Sequence, residues 1–386
     1  MSKIIYLDNN ATTPLDSRVF EAMKPYFFDK IGNPSSAHHR YGWEAKEAVE
    51  TARKTCADLL NCNADNLIFT SGSTESINTI LIGVARTAIK KGKKHIVSTT
   101  AEHSAVLDTL KFLQSEGFDI ELLEVDQFGR LDPERLIKAL RQDTALVSVI
   151  WANNEIGSIN PIHEISEICR ERKILFHTDA AQAVGKISID LEKTHVDFLS
   201  ASAHKFYGPK GIGILYKKDS ICPLMHGGGQ EKGIRPGTLN VPSIVGMSTA
   251  LKISVEEMPA ETTRLKKLSK HLFESLKSLG GIHLNGHPEL RIPGNLNISF
   301  DFIEAEALLI SMPDLAMSTG AACASSKKST SHVLKAIGLD SGRIKSSIRI
   351  GIGRTNTKAE IEDAVKRIIE EVRRLRKLSP DYSAPC

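Results

Sequence analysis

Between residues 66 and 216, compact apolar runs alternate with longer stretches whose apolar positions recur every three to four residues. NLIFTSG (66–72), HIVSTT (95–100), ALVSVIW (145–151), KILFHTD (173–179), DFLSAS (197–202) and GIGILY (211–216) are the compact runs. Runs of this length, rich in β-branched residues, predict buried strands. Amphipathic stretches such as EISEICRER (164–172) lie between several of them. Strand and helix in alternation predict an α/β fold with a mostly parallel sheet and helices on both faces.

Beyond about residue 258 the texture changes. RLKKLSKHLFESLKSLG (264–280) predicts a helix ending at a glycine cap, and LNISF (296–300) and SSIRIGI (346–352) predict strands. Ile361, Val365, Ile368, Val372 and Leu375 share one face of a last helix. These elements predict a smaller α+β domain from residues 1–15 and 259–386, beside a large domain over 16–258. The sequence contains no internal repeat and no low-complexity linker.

Composition narrows the function without naming it. With 386 residues, 41% hydrophobic and 25% charged, the chain is long enough for two domains with aliphatic cores, since aromatics make up only 5%. A net charge of +4 gives no reason to expect nucleic-acid binding. The start, MSKIIYLDNN, lacks the features of a signal or transit peptide, and no apolar run reaches a membrane span. The expected location is therefore the cytoplasm, with no membrane partner. The six cysteines, Cys56, Cys62, Cys169, Cys222, Cys323 and Cys386, form no C-x-x-C pair, which argues against a disulfide framework or a structural zinc site.

In open α/β sheets, ligands sit at the carboxyl ends of the strands. Ser73-Thr74-Glu75-Ser76 follows the first run, either as a phosphate cradle or as an ordinary helix cap. Glu102-His103 follows the second and Asn153-Asn154 the third. Asp179 and Gln182 follow the fourth, and His204-Lys205 the fifth, before a glycine-rich return. Each has a bland reading as a cap, a turn or a structural hydrogen bond. Together they gather a phosphate cradle, a histidine, amides, a carboxylate and a lysine at one rim. Those are the parts that pyridoxal phosphate (PLP) needs: donors for its phosphate, a lysine for its aldehyde, and an acid for its pyridine nitrogen. A P-loop is excluded, because G-x-x-x-x-G-K-[ST] is absent.

The chain also resembles the NifS/IscS-like cysteine desulfurases, within the class V aminotransferase group of fold-type I PLP enzymes. The resemblance spans nearly the whole length. It is carried by YLDNNATTP (6–14), GNPSSAH (32–38), TSGSTES (70–76), AEHSAV (101–106), NNEIG (153–157), HTDAAQ (177–182), SAHKFYGPKGIG (202–213), GGGQEKGIRPGTLN (227–240), STGAACAS (318–325) and IRIGIGR (348–354). It implies a Schiff base on Lys205, which also moves protons at the substrate Cα. Asp179 is then the partner of the pyridine nitrogen, and His103 stacks on the ring. Asn154 and Gln182 lie near the ring oxygen, and Ser73, Thr74, Ser202 and His204 bind the phosphate. Thr238 matches a threonine that reaches the phosphate of a neighbouring subunit, which implies a homodimer. Asn33 and Arg349 match the groups that hold the substrate carboxylate.

Cys323, in a run of small residues about 318–332, matches the family's persulfide cysteine on a mobile loop. The resemblance therefore implies conversion of L-cysteine to L-alanine with sulfur left on Cys323. An iron–sulfur scaffold or a tRNA-thiolation protein would receive the sulfur. No resident metal is expected; Cys323 is the one residue that could meet iron, during cluster transfer. Some positions depart from the family pattern: Ala321 stands for a serine, Pro236 for another, and Arg349–Arg354 reads R-I-G-I-G-R. The tail ends soon after the last helix, at Cys386. Two competing readings are another PLP enzyme, such as an aminotransferase or selenocysteine lyase, and a non-catalytic scaffold on the same fold. The scaffold predicts loss of Lys205, Asp179 or Cys323, and all three are present.

Overall fold

The computed structural model describes residues 4–319, 330–380 and 382. Its strands are β1 (Ile5–Tyr6), β2 (Leu67–Thr70), β3 (His95–Thr99), β4 (Asp119–Leu123), β5 (Thr144–Ser148), β6 (Leu175–Asp179), β7 (Phe198–Ser202), β8 (Gly213–Lys217), β9 (Ile282–Asn285), β10 (Asn295–Phe300), β11 (Leu315–Ala316) and β12 (Ser347–Gly351). Seven of them form the main sheet in the order β2-β8-β7-β6-β5-β3-β4. Only β8 runs antiparallel, to both its neighbours. The carboxyl ends of β2, β7, β6, β5 and β3 therefore open on the same rim.

The six apolar runs predicted as strands are all in this sheet. Their burial explains why they read as continuous rather than alternating. Leu67 and Phe69 enter one core cluster while Ile68 enters another; Val97 and Ile96, and Val147 and Leu146, divide in the same way. Side chains alternate between faces along a strand, and here both faces are covered, so apolar residues stand at consecutive positions.

A second, antiparallel sheet has the order β12-β10-β9. Its core joins Leu296, Ile298 and Ile350 to Leu268, Leu272 and Leu276 of the helix Val241–Lys277, and to Ile361, Val365, Ile368 and Val372 of the helix Lys358–Leu378. Thr357 and Glu360 start that last helix with a capping box. Ile5 and Leu7, from the start of the chain, pack in the same cluster.

The structure differs from the sequence reading in two places. The helix read over 264–280 begins at Val241 and passes through Pro259 without ending. A proline ring disfavours a helix interior, which hid the continuity, but burial of Ile244, Met247, Leu251 and Leu268 on its flanks holds it. The edge strand β4 has the sequence DIELL and is largely exposed, so no apolar run announces it.

A buried ion pair anchors the glycine-rich segment after β8. Arg53 donates to both carboxylate oxygens of Glu231, at 2.9 and 2.6 Å, and Glu231 Oε2 also accepts the Phe69 amide at 2.6 Å. Glu231 itself is held at φ 49°. Glu231→Ala would leave the buried Arg53 charge with only the half-exposed Glu50 as ionic partner, a change that costs about 3–5 kcal/mol. Denaturant unfolding should show a loss of that size, with little change for Lys232→Ala, whose ion pair with Asp65 is exposed.

Candidate functional site

Each loop at the sheet rim brings one chemical group. After β7, a short 3₁₀ turn, Ala203–Lys205, places the half-buried Lys205. Its Nζ donates to the main-chain oxygens of Asn10 and Ala11, at 2.9 and 2.7 Å. Asp179 closes β6 and is 3% exposed. Its Oδ1 accepts the Ala181 amide at 3.0 Å. Burial pushes the Asp179 carboxyl up, while the charges of His103 and Lys205 pull it back only in part. A carboxylate in this position lacks a full cationic partner.

His103 is the N-cap of the helix Ser104–Ser115, and its Nδ1 accepts the Ala105 amide at 3.1 Å. That bond leaves Nε2 as the atom that carries a proton. Gln182 is buried, and its Nε2 donates to the same Asn10 oxygen that Lys205 contacts, at 2.8 Å. Lys205 and Gln182 thus meet at the Asn10 oxygen, and Asp179 lies within electrostatic reach of Lys205 and His103. Asn154 is half-buried, and its main-chain oxygen accepts from Arg349 at 3.3 Å.

The phosphate candidates gather around the turn after β2. Gly72 takes φ 155° and ψ 176°, a region almost restricted to glycine, and opens the helix Ser73–Ala88 without a side-chain cap. The first-turn amides of that helix, including Ser73 and Thr74, have no partner within the helix. Ser202 is buried beside the turn, its Oγ 3.6 Å from where a Cβ on Gly72 would lie. His204 Nδ1 lies 3.1 Å from Thr12 Oγ1. Burial and the lysines Lys205, Lys210 and Lys186 push His204 down to about 4, so it is neutral near pH 7.

Arg349 reaches the rim from β12 and is 1% exposed. It pairs with Asp8 at 2.9 Å, and its Nε has no hydrogen-bond partner among the described residues. Asn33 and Thr238 are exposed and make no hydrogen bond to the other candidates among the described residues. Cys323 lies outside the described residues, as does Cys386. The residues flanking that segment are anchored at the site: Ser318 Oγ donates to Asp8, Ser331 Oγ to the buried Glu155, and His332 Nε2 bonds the Glu102 oxygen at 2.8 Å.

These groups fit PLP. Orphan helix amides and hydroxyls suit its phosphate, a lysine amine suits its aldehyde, and a buried carboxyl short of positive charge suits a protonated pyridine nitrogen. Sequence reasoning assigned no role to Asp8, Lys186, Glu155 or Ser331. All lie in or beside motif segments, but their partners are distant in sequence and only the fold reveals them.

Glu102 was seen only as the neighbour of His103. It is fully buried; its Oε1 accepts the Ile150 amide and the Thr99 hydroxyl, and its Oε2 has no partner among the described residues. Burial, with the charge of Asp179, pushes its carboxyl up to about 8. A group with a raised folded value contributes stability below its usual value of 4.5 and loses it as pH rises through about 8. Glu102→Gln should remove this loss. Its melting temperature should fall less than the wild type's between pH 5 and pH 8.5.

The model of the family "Aminotransferase class-V" matches residues 5–363. The cysteine desulfurase IscS of Shewanella loihica is 47% identical over 382 residues, covering 97% of this chain and 94% of that protein. A probable mitochondrial cysteine desulfurase of Schizosaccharomyces pombe is 47% identical over 380 residues, covering 97% of this chain and 76% of that one. Among solved structures, a NifS-like protein superposes with a TM-score of 0.89 at 42% identity, covering 95% and 98% of the two chains. SspA in complex with cysteine superposes with a TM-score of 0.81 at 35% identity, covering 90% and 98%.

Proposed function

This chain belongs to the class-V aminotransferase family and is a PLP-dependent cysteine desulfurase, and we propose that its chemistry runs at the rim where Lys205, Asp179 and His103 meet. The observation that carries the assignment is the placement of a lysine amine and a buried carboxyl, Asp179, whose burial raises its pKa, at the ends of the adjacent strands β7 and β6. PLP, when bound, supplies an aldehyde that captures amines and a ring that stores electrons.

With PLP bound, Lys205 would hold its aldehyde, and its Nζ would carry the Cα proton of the substrate. Asp179 would keep the pyridine nitrogen protonated, and His103 would stack on the ring. Ser73, Thr74, Ser202 and His204 bind the phosphate, and Asn154 and Gln182 the ring oxygen. Arg349, with Asn33, binds the L-cysteine carboxylate; a planar guanidinium suits that anion. The Cys323 thiolate attacks the substrate sulfur, so that an S–S bond forms as the substrate C–S bond breaks. The proton lost by the Cys323 thiol balances the one gained at Cβ, and L-alanine leaves.

Other thiols are poorly suited to this step. Burial pushes Cys56, Cys62 and Cys169 up to about 12, which leaves almost no thiolate at neutral pH.

We also infer a homodimer, in which Thr238 serves the site of the other copy. The exposed side chains of Phe20, Phe27, Phe28, Ile31, Tyr41 and Trp43, close in sequence, support an apolar contact surface. The division into a large domain (16–258) and a small one (1–15, 259–386) belongs to the same proposal, with the helix Val241–Lys277 as the link. The proposed acceptor is an iron–sulfur scaffold or a tRNA-thiolation protein, in the cytoplasm. No described helix is long and apolar enough to cross a membrane.

The test is incubation of the purified PLP-loaded protein with L-cysteine and a reductant. Equal release of alanine and sulfide is expected; pyruvate, or amino transfer to a keto acid without sulfide, would overturn the reading.

A further inference from the structure

A second lysine, Lys186, reaches the site through Gln182. Lys186 lies four residues after Gln182 in the run of turns that follows β6, and its Nζ donates to Gln182 Oε1. The other end of that amide, Nε2, donates to Asn10 O, the carbonyl that Lys205 Nζ also contacts. A glutamine amide can be flipped, and its two ends are not interchangeable. In its protonated form Lys186 only donates, and the amide end that faces it is the oxygen. The nitrogen is then committed to the side of Asn10 and Lys205. Gln182 is 2% exposed, so both ends of its amide are satisfied by these buried partners.

From this geometry we propose that Lys186 is a positioning residue: it fixes Gln182 with its N–H groups toward the cofactor's ring oxygen and keeps a second cation behind the Lys205 nitrogen. The inference rests on the cofactor seat proposed above. Lys186 lines a small cavity of about 50 Å³ with Asn10, Tyr207, Glu261 and Arg354. Burial, then the charges of Lys205 and Arg349, push its amine down to about 7. The other charged or titratable groups around the Lys205 nitrogen are Asp179, His103 and His204.

Two effects of Lys186 act with the same sign on a Schiff base at Lys205. Below about pH 7, where its amine is protonated, Lys186 is a nearby cation and disfavours a proton on the imine nitrogen. A donor on the ring oxygen draws off the negative charge that would otherwise hold that proton. Both lower the pH at which the imine deprotonates. Removing Lys186 should therefore raise it.

The experiment compares PLP-loaded wild type, Lys186→Met and Lys186→Gln by titrating the visible absorption of the bound cofactor against pH. Lys186→Met removes both charge and donor, and its midpoint should rise by on the order of one pH unit, a tenfold gain in proton affinity. Lys186→Gln keeps a donor without the charge and should rise by less. It also carries the test should the methionine variant not take up PLP. Midpoints that stay at the wild-type value in the variant that loads would overturn the inference while leaving the seat intact. A wild-type protein that takes up no PLP overturns the seat, and the inference with it.

Discussion

Lys205→Ala is expected to abolish turnover and covalent attachment of the cofactor together. The substitution removes the amine that would hold the aldehyde and the base that would move the Cα proton. General acid–base catalysis alone contributes about 10²–10⁴-fold. Alanine formation from L-cysteine should therefore fall by on the order of 10³-fold or more. The fold should survive, because the lost hydrogen bonds run from a half-buried side chain to main-chain oxygens of Asn10 and Ala11. Borohydride treatment followed by peptide mapping checks the assignment. It should fix the cofactor on the peptide that contains Lys205 in the wild type and on no peptide in the variant. Attachment to Lys186 instead would transfer the role to that residue.

Cys323→Ser separates the desulfurase chemistry from the rest of the site. The variant should take up PLP and bind L-cysteine, because none of the groups at the rim is touched. It should release neither alanine nor sulfide at more than a trace of the wild-type rate. A hydroxyl is a far weaker nucleophile toward sulfur than a thiolate. The buried thiols of Cys56 and Cys169 cannot take over, since both are pushed up to about 12. An aminotransferase on this fold would be indifferent to the same change, so the variant discriminates between the two chemistries.

The parts legible in the sequence are those where local pattern and burial agree. Strands β2, β3, β5, β6, β7 and β8 are covered on both faces, and their continuous apolar runs say so without further context. The candidate groups Asp179, Lys205 and His103 were found because the rule about strand ends turns a one-dimensional position into a place on the sheet. Where this failed, the determining contact is distant. Asp8 meets Arg349 across most of the chain, and Ser331 meets Glu155 in the same way. The continuity of Val241–Lys277 through Pro259 depends on packing along the flanks, which outweighs the local signal to stop. Lys186 is instructive in another sense. In the sequence it is one more lysine after a glycine; only its contact with Gln182 Oε1, at the edge of the proposed seat, gives it a task.

The most direct test of the account is a single turnover without reductant: the PLP-loaded protein is mixed with L-cysteine, free alanine is counted, and the protein is digested for mass analysis. One alanine per subunit, together with the mass of one extra sulfur on the peptide containing Cys323 and on no other, is the predicted result. Alanine formed with no added sulfur on that peptide, or sulfur found on a different cysteine, would contradict it.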